Sequence, residues 1–134
     1  MKYIKAEEFL KQPKEVQKVF ENWWQPNVGD LYCNIYNNQQ ENVLVINKCQ
    51  LDFSKSFKDD IKQFGCILFT EGQLRQFIEN KTGYKATLVH PSSSPIEIWL
   101  YTDKGIKRIS SIDKFDVLQA YWKVALEIAK GEVK

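Results

Sequence analysis

Ile96-Glu97-Ile98-Trp99-Leu100-Tyr101-Thr102-Asp103-Lys104-Gly105-Ile106-Lys107-Arg108-Ile109 is the stretch on which the fold class turns. Apolar and polar or aromatic residues alternate along 96–102, which is the period of a half-buried strand. Asp103-Lys104-Gly105 is turn chemistry, and Ile106–Ile109 follows as a second strand, so the two make an antiparallel hairpin. Upstream, Tyr84–His90 reads as another strand, set off from Ile96 by the loop Pro91-Ser92-Ser93-Ser94-Pro95. Leu31–Tyr36 and Val43–Lys48 read as an earlier hairpin around the polar loop Asn37–Asn42.

Helical periods fill the intervals. Ala6–Gln12 forms a short helical turn. Pro13 suits the first position of a second helix, where its missing N–H costs nothing. In that helix Val16, Val19, Phe20 and Trp23 recur at i, i+3, i+4 and i+7. Gln25–Asp30 then turns the chain. Phe53, Phe57, Ile61 and Phe64 predict a short amphipathic helix ended by Gly65, and Cys66–Phe69 a brief buried extended run. Thr70-Glu71-Gly72-Gln73 is a capping box opening a helix that packs Leu74, Phe77 and Ile78 inward and stops at Gly83. A final helix runs from about Asp113 to Lys130, with Asp113 and Asp116 as N-cap and first-turn acid and Gly131 as its stop.

Hairpins interspersed with helices, without strict βαβ alternation, predict an α+β fold. The expectation is one domain over residues 1–134: a mainly antiparallel sheet of about four to five strands, helices on one face and a long C-terminal helix. A length of 134 residues fits one domain, and four Trp, eight Phe and six Tyr suffice for its core. No apolar run approaches the roughly 18–20 residues of a membrane span. Met1–Glu8 has no apolar core of a secretory signal.

Nineteen Lys and Arg stand against 17 Asp and Glu, interspersed, for a net charge of +2. This is far from the basic excess by which sequence-independent nucleic-acid binders neutralise phosphate. The three cysteines, Cys33, Cys49 and Cys66, form neither a disulfide framework nor a C-x-x-C metal half-site. Cysteines of this kind fit a reducing cytoplasm.

Catalytic patterns are missing. His90 is the single histidine, and spacing places neither a nucleophile nor an orienting carboxylate beside it. There is no H-E-x-x-H, EF-hand, P-loop or G-x-G-x-x-G. The acids Glu7-Glu8 and Asp59-Asp60 are adjacent and diverge by about 100° on a helix. A strand acid followed by E-x-K fails as well, because the second strand reads Ile46-Asn47-Lys48. No catalytic residue, metal ligand or cofactor is therefore assigned.

Two features support binding. If Ile96, Ile98 and Leu100 face the core, Glu97, Trp99 and Tyr101 face outward, beside Lys104, Lys107 and Arg108 at the hairpin tip. Aromatic and Arg anchors of this kind serve protein interfaces and base-stacking surfaces alike. Burial of the same face beneath Trp23 and Trp24 is the competing structural reading. The second feature is the stripe Lys55, Lys58 and Lys62 on one helix face, a phosphate-contacting surface diluted by Asp59 and Asp60.

Three stretches resemble a group of small uncharacterised proteins encoded in phages and prophages of Firmicutes such as clostridia. They are Val16–Phe20 with Trp23-Trp24 and Gly29-Asp30-Leu31; Thr70–Arg75 with Phe77-Ile78-Glu79; and Leu118–Trp122 with Val124-Ala125 and Glu127-Ile128-Ala129. The resemblance implies a small accessory protein acting stoichiometrically on a host protein, nucleic acid or nucleotide signal, antagonists of host defence being one such class. The leading expectation is a non-enzymatic binder of a host protein, as monomer or homodimer, through Trp99, Tyr101, Lys104, Lys107 and Arg108. The alternative is a nucleic-acid- or nucleotide-binding accessory protein using Lys55, Lys58 and Lys62.

Overall fold

The computed structural model describes residues 2–35, 42–53, 56–89, 96–112 and 116–132, with backbone alone at 52–53 and 109–112. Within these residues the chain is α+β, with six helices and two three-stranded antiparallel sheets. It divides into two compact units, Ile4–Phe69 and Met1–Tyr3 with Thr70–Lys134.

The first unit runs α1 (Ala6–Leu10), α2 (Lys14–Trp23), β1 (Leu31–Asn34), β2 (Leu44–Val45), α3 (Lys48–Phe53), α4 (Phe57–Phe64) and β3 (Gly65–Ile67). Its sheet has the order β2-β1-β3. Leu31, Tyr32 and Cys33 are consecutive and all buried, so both faces of the central strand are covered. Tyr32 meets Phe57 of α4 edge-on, with ring centroids 5.6 Å apart. The apolar stripe of α2 delivers Phe20 onto Phe69 (5.5 Å) and Phe9 (6.1 Å), and Phe69 also takes Trp23 at 6.4 Å. The backbone N–H of Ile4 donates to the Phe69 carbonyl at 2.8 Å, which ties the two ends of the unit together. At Gly65 the chain passes so close to its neighbours that a Cβ would stand 2.9 Å from the Cys33 carbonyl oxygen and 3.2 Å from that of Ile61. Glycine lets α4 pass directly into β3 there.

One carboxylate in this unit carries a pH signature. Burial raises the Glu21 pKa above 4.5, against the opposing pull of Lys62, Lys14 and Lys18. The folded state therefore holds this proton more tightly than the unfolded chain does. The group favours folding most at acid pH, and that contribution is lost as pH rises through the folded pKa. Glu21→Gln should melt higher than wild type at pH 7, and the gap should close near pH 4. Thermal melts at the two pH values check this; an equal or reversed gap would refute it.

The second unit runs α5 (Glu71–Thr82), β4 (Lys85–Val89), β5 (Ile96–Thr102), β6 (Gly105–Ile112) and α6 (Val117–Glu132), with sheet order β4-β5-β6. Both arms of the Thr70/Gln73 capping box are present, and the Thr70 N–H donates to Gln73 Oε1 at 2.9 Å. Gly83 closes α5 in the left-handed region at φ 74°. Asp116 caps α6, its Oδ1 accepting from the Gln119 N–H at 3.1 Å. The capping box at one end and the Lys81–Glu132 ion pair (3.1 Å) at the other show that α5 and α6 run parallel, since the two N-termini share one cleft. Ala86, Ile98, Leu100, Phe77, Val124 and Ala125 form the core between these helices and the inner sheet face.

The expected single sheet of about four to five strands is thus corrected to two sheets. Both edges of β1 are taken by β2 and β3, and both edges of β5 by β4 and β6. Helices on one face describes the second sheet, whose β5 alternates between buried and partly exposed residues, but not the first. The expected strand through Lys48 ends at Val45, and α3 begins in its place. Pro13 is the N-cap of α2, not its first helical residue. The C-terminal helix passes through Gly131 to Glu132. Asp113 and residues 36–41 and 90–95 lie outside the described residues.

Candidate functional site

The outer face of β4-β5-β6 gathers most of the residues singled out in the hairpin. Ile96, Ile98 and Leu100 are buried, so the intervening Glu97, Trp99 and Tyr101 occupy the opposite face. Thr102 pairs with Gly105 across the two-residue turn Asp103-Lys104, and Gly105 adopts φ 116°. This register sets Tyr101 opposite Ile106, Leu100 opposite Lys107 and Trp99 opposite Arg108. On the other side Tyr101 pairs with Lys85 and Trp99 with Thr87.

Three of these side chains form a connected unit. Trp99 Nε1 donates to Glu97 Oε2 at 2.7 Å. The Arg108 guanidinium lies over the Trp99 ring, 5.0 Å from its centroid, and its Nε stands 3.8 Å from the same Glu97 oxygen. Glu97 therefore restrains both the indole and the guanidinium, while the Arg108 side chain stays 66% exposed. Beside them Tyr101 and Ile106 are 45% and 52% exposed, which leaves an apolar strip next to a held cation. Lys85 and Lys104 are exposed at the margin, with Asp103 in the turn as an exposed acid.

Not every predicted residue joins this face. Lys107 is opposite Leu100 and so belongs to the inner-face register, exposed at the edge strand. Ile106 and Lys85 are members that the sequence reading did not single out, whereas the alternation had placed Glu97 on this face. The period-two pattern and the turn position carried the signal for both. Of Trp23 and Trp24, the expected cover in the competing reading, Trp23 meets the Phe69 ring and Trp24 Nε1 donates to Asp30 Oδ2 at 3.0 Å, both contacts inside the first unit.

The lysine stripe is less coherent. Lys55 and His90 lie outside the described residues. Lys62 Nζ donates to Asn22 Oδ1 at 3.4 Å. Burial and the Lys62 ammonium together pull the Lys58 pKa down, only partly offset by Asp59. The first turn of α4 carries both Asp59 and Asp60.

An open cleft of about 590 Å³ lies at the N-terminal ends of α5 and α6, lined by Lys2, Thr70, Glu71, Gly72, Asp116, Val117 and Leu118. Helix N-termini attract anions through free N–H groups. Here the capping box and Asp116 already engage such donors, and Glu71 and Asp116 add negative charge. Among the described residues no group of three or more His, Cys, Asp or Glu side chains could hold a metal ion, and no helix is long and apolar enough to cross a membrane. In comparisons with known proteins, no family model, curated protein or solved structure matches this chain.

Proposed function

We propose that this chain is a small non-enzymatic accessory protein of phage or prophage type. It works in the cytoplasm of a bacterial host by stoichiometric binding of a host protein, with antagonism of host defence as its role. The contact surface is the outer face of β4-β5-β6, centred on Trp99, Tyr101 and Arg108 and extended by Ile106 and Lys104. The observation that carries this reading is the Glu97–Trp99–Arg108 unit beside exposed Tyr101 and Ile106. Trp, Tyr and Arg are the residues that dominate interface energetics. Anchors fixed before contact lose little further entropy on binding. Lys85, Lys104 and Arg108 outnumber Asp103 once Glu97 is engaged, so the partner offers carboxylates around an apolar anchor.

The test is affinity capture from a clostridial lysate, then calorimetric titration of the captured protein after its purification. Wild type should bind with a fixed stoichiometry. Arg108→Glu should weaken binding by roughly ten-fold or more, because the cation of the face becomes an anion. Equal affinity of the two proteins would remove this face from the reading. Nucleic acid copurifying with the wild type but not with Lys58→Ala/Lys62→Ala would replace the reading with the nucleic-acid alternative.

A further inference from the structure

Cys33 on β1 and Cys66 on β3 are direct partners across the first sheet. Both are free thiols, 0% and 2% exposed. The Leu68 N–H donates to the Leu31 carbonyl at 2.9 Å, and the Ile35 N–H to the Phe64 carbonyl at 3.0 Å. These bonds flank the cysteines two residues to either side. Because an antiparallel ladder alternates with period two, Cys33 and Cys66 are the hydrogen-bonded pair between them, a class with Cα atoms about 5.5 Å apart. Disulfides span Cα separations of roughly 4.4–6.8 Å. Paired residues also project to the same face of the sheet, so the two thiols point into one space.

We propose that Cys33 and Cys66 form a dithiol site that a peroxide-class oxidant closes into an intramolecular disulfide. The two sulfurs are not equivalent. Cys66 Sγ donates its proton to the Ile67 carbonyl at 3.5 Å. The contact with Cys66 pulls the Cys33 pKa down, whereas the contact with Cys33, burial and the nearby Glu21 carboxylate push Cys66 up. The Cys66 proton is held on the Ile67 carbonyl, which leaves Cys33 as the sulfur that loses its proton and attacks. The O–O bond of hydrogen peroxide breaks, one oxygen passes to Cys33 as sulfenic acid, and the other leaves as hydroxide that takes up a proton to become water. Cys66 then attacks the Cys33 sulfur. The S–S bond forms, the S–O bond breaks, and the departing hydroxide takes the Cys66 proton as a second water. The two thiols lose two electrons and two protons, and peroxide is reduced to two waters. β3 is an edge strand of its sheet, so Cys66 lies on the rim strand and Cys33 one strand in.

The exposed Cys49 would compete for oxidant and link separate molecules. The experiment therefore uses the full chain carrying Cys49→Ser, treated with hydrogen peroxide below the urea unfolding transition and compared with untreated protein. The expected result is loss of two hydrogens in the intact mass and a Cys33–Cys66 linked peptide. The melting temperature should rise by roughly 10 °C, because the bridge closes the loop that carries β2, α3 and α4. Two thiols still titrating after treatment, sulfinic acid on separate cysteines, or a disulfide forming only within the unfolding transition would each overturn the proposal.

Discussion

Trp24→Ala should cost about 4 kcal/mol of folding stability, the usual range for deleting a fully buried large aromatic being 3–5. Trp24 is 2% exposed at the point where α2 ends and the chain turns toward β1. Three groups depend on its position. Its backbone N–H closes α2 on the Phe20 carbonyl at 2.9 Å. Its Nε1 donates to Asp30 Oδ2 at 3.0 Å, the same oxygen that accepts from the Asn27 N–H at 3.0 Å. Asp30 in turn receives the Ile46 N–H on its backbone carbonyl at 2.9 Å, so the corner sets where β2 meets β1. Alanine would leave a cavity and remove a donor from a partly buried carboxylate. Trp24→Phe separates the two losses: it keeps most of the apolar area and lacks only the indole N–H. That variant should cost nearer 1–2 kcal/mol, the worth of a hydrogen bond to a charged acceptor with some loss of packing. Urea denaturation of the three proteins checks the order. A cost below about 1 kcal/mol for Trp24→Ala would mean the corner is not anchored by its indole.

That corner also shows what one-dimensional reading can and cannot reach. The stripe Val16, Val19, Phe20 and Trp23 gave α2 its buried face, because helix periodicity is local. The Thr70/Gln73 capping box and the strand Ile96–Thr102 were legible for the same reason, and β5 has the expected bounds. The helix α3 was missed although its signal was present. Asn47 Oδ1 accepts from the Gln50 N–H at 2.9 Å, and Gln50 Oε1 from the Asn47 N–H at 2.8 Å, a reciprocal cap written in Asn47-Lys48-Cys49-Gln50. The apolar run before it masked the cap. The division into two sheets was out of reach for a different reason. A three-residue strand such as Gly65–Ile67 carries no mark of which partner it will pair with, and its pairing with Leu31–Asn34 joins segments distant in sequence.

At the candidate site the aromatic alternation was legible and the grouping of cations was not. Lys107 and Arg108 are adjacent, and adjacent strand residues cannot share a face. A two-residue turn at Asp103-Lys104 puts Arg108 across from Trp99 and leaves Lys107 across from Leu100. The part played by Glu97 needed side-chain geometry, since a carboxylate two residues before a Trp could equally have pointed to solvent.

The double variant Trp99→Ala/Tyr101→Ala brings these points to a single measurement. Partner binding should fall by a hundred-fold or more, since two interface anchors each worth about 2 kcal/mol or more are removed together. Folding should suffer far less. Tyr101 is 45% exposed, and Trp99 is capped on its outer side by the Arg108 guanidinium, not by packed core. Arg108 keeps Glu97 as an ion partner at 3.8 Å after the indole is gone. Circular dichroism melts and calorimetry on the same samples separate the two effects. A folded variant that binds like wild type would strike this face from the interface, and a variant that unfolds would show the face to be a second core. Glu97→Gln sharpens the comparison. It keeps the size of the side chain but weakens its hold on both Trp99 and Arg108, so the anchors become free to move before contact. If their fixed placement contributes to affinity, Glu97→Gln should bind several-fold more weakly through the entropy then lost on docking, about 1 kcal/mol, while every contact residue of the face remains in place.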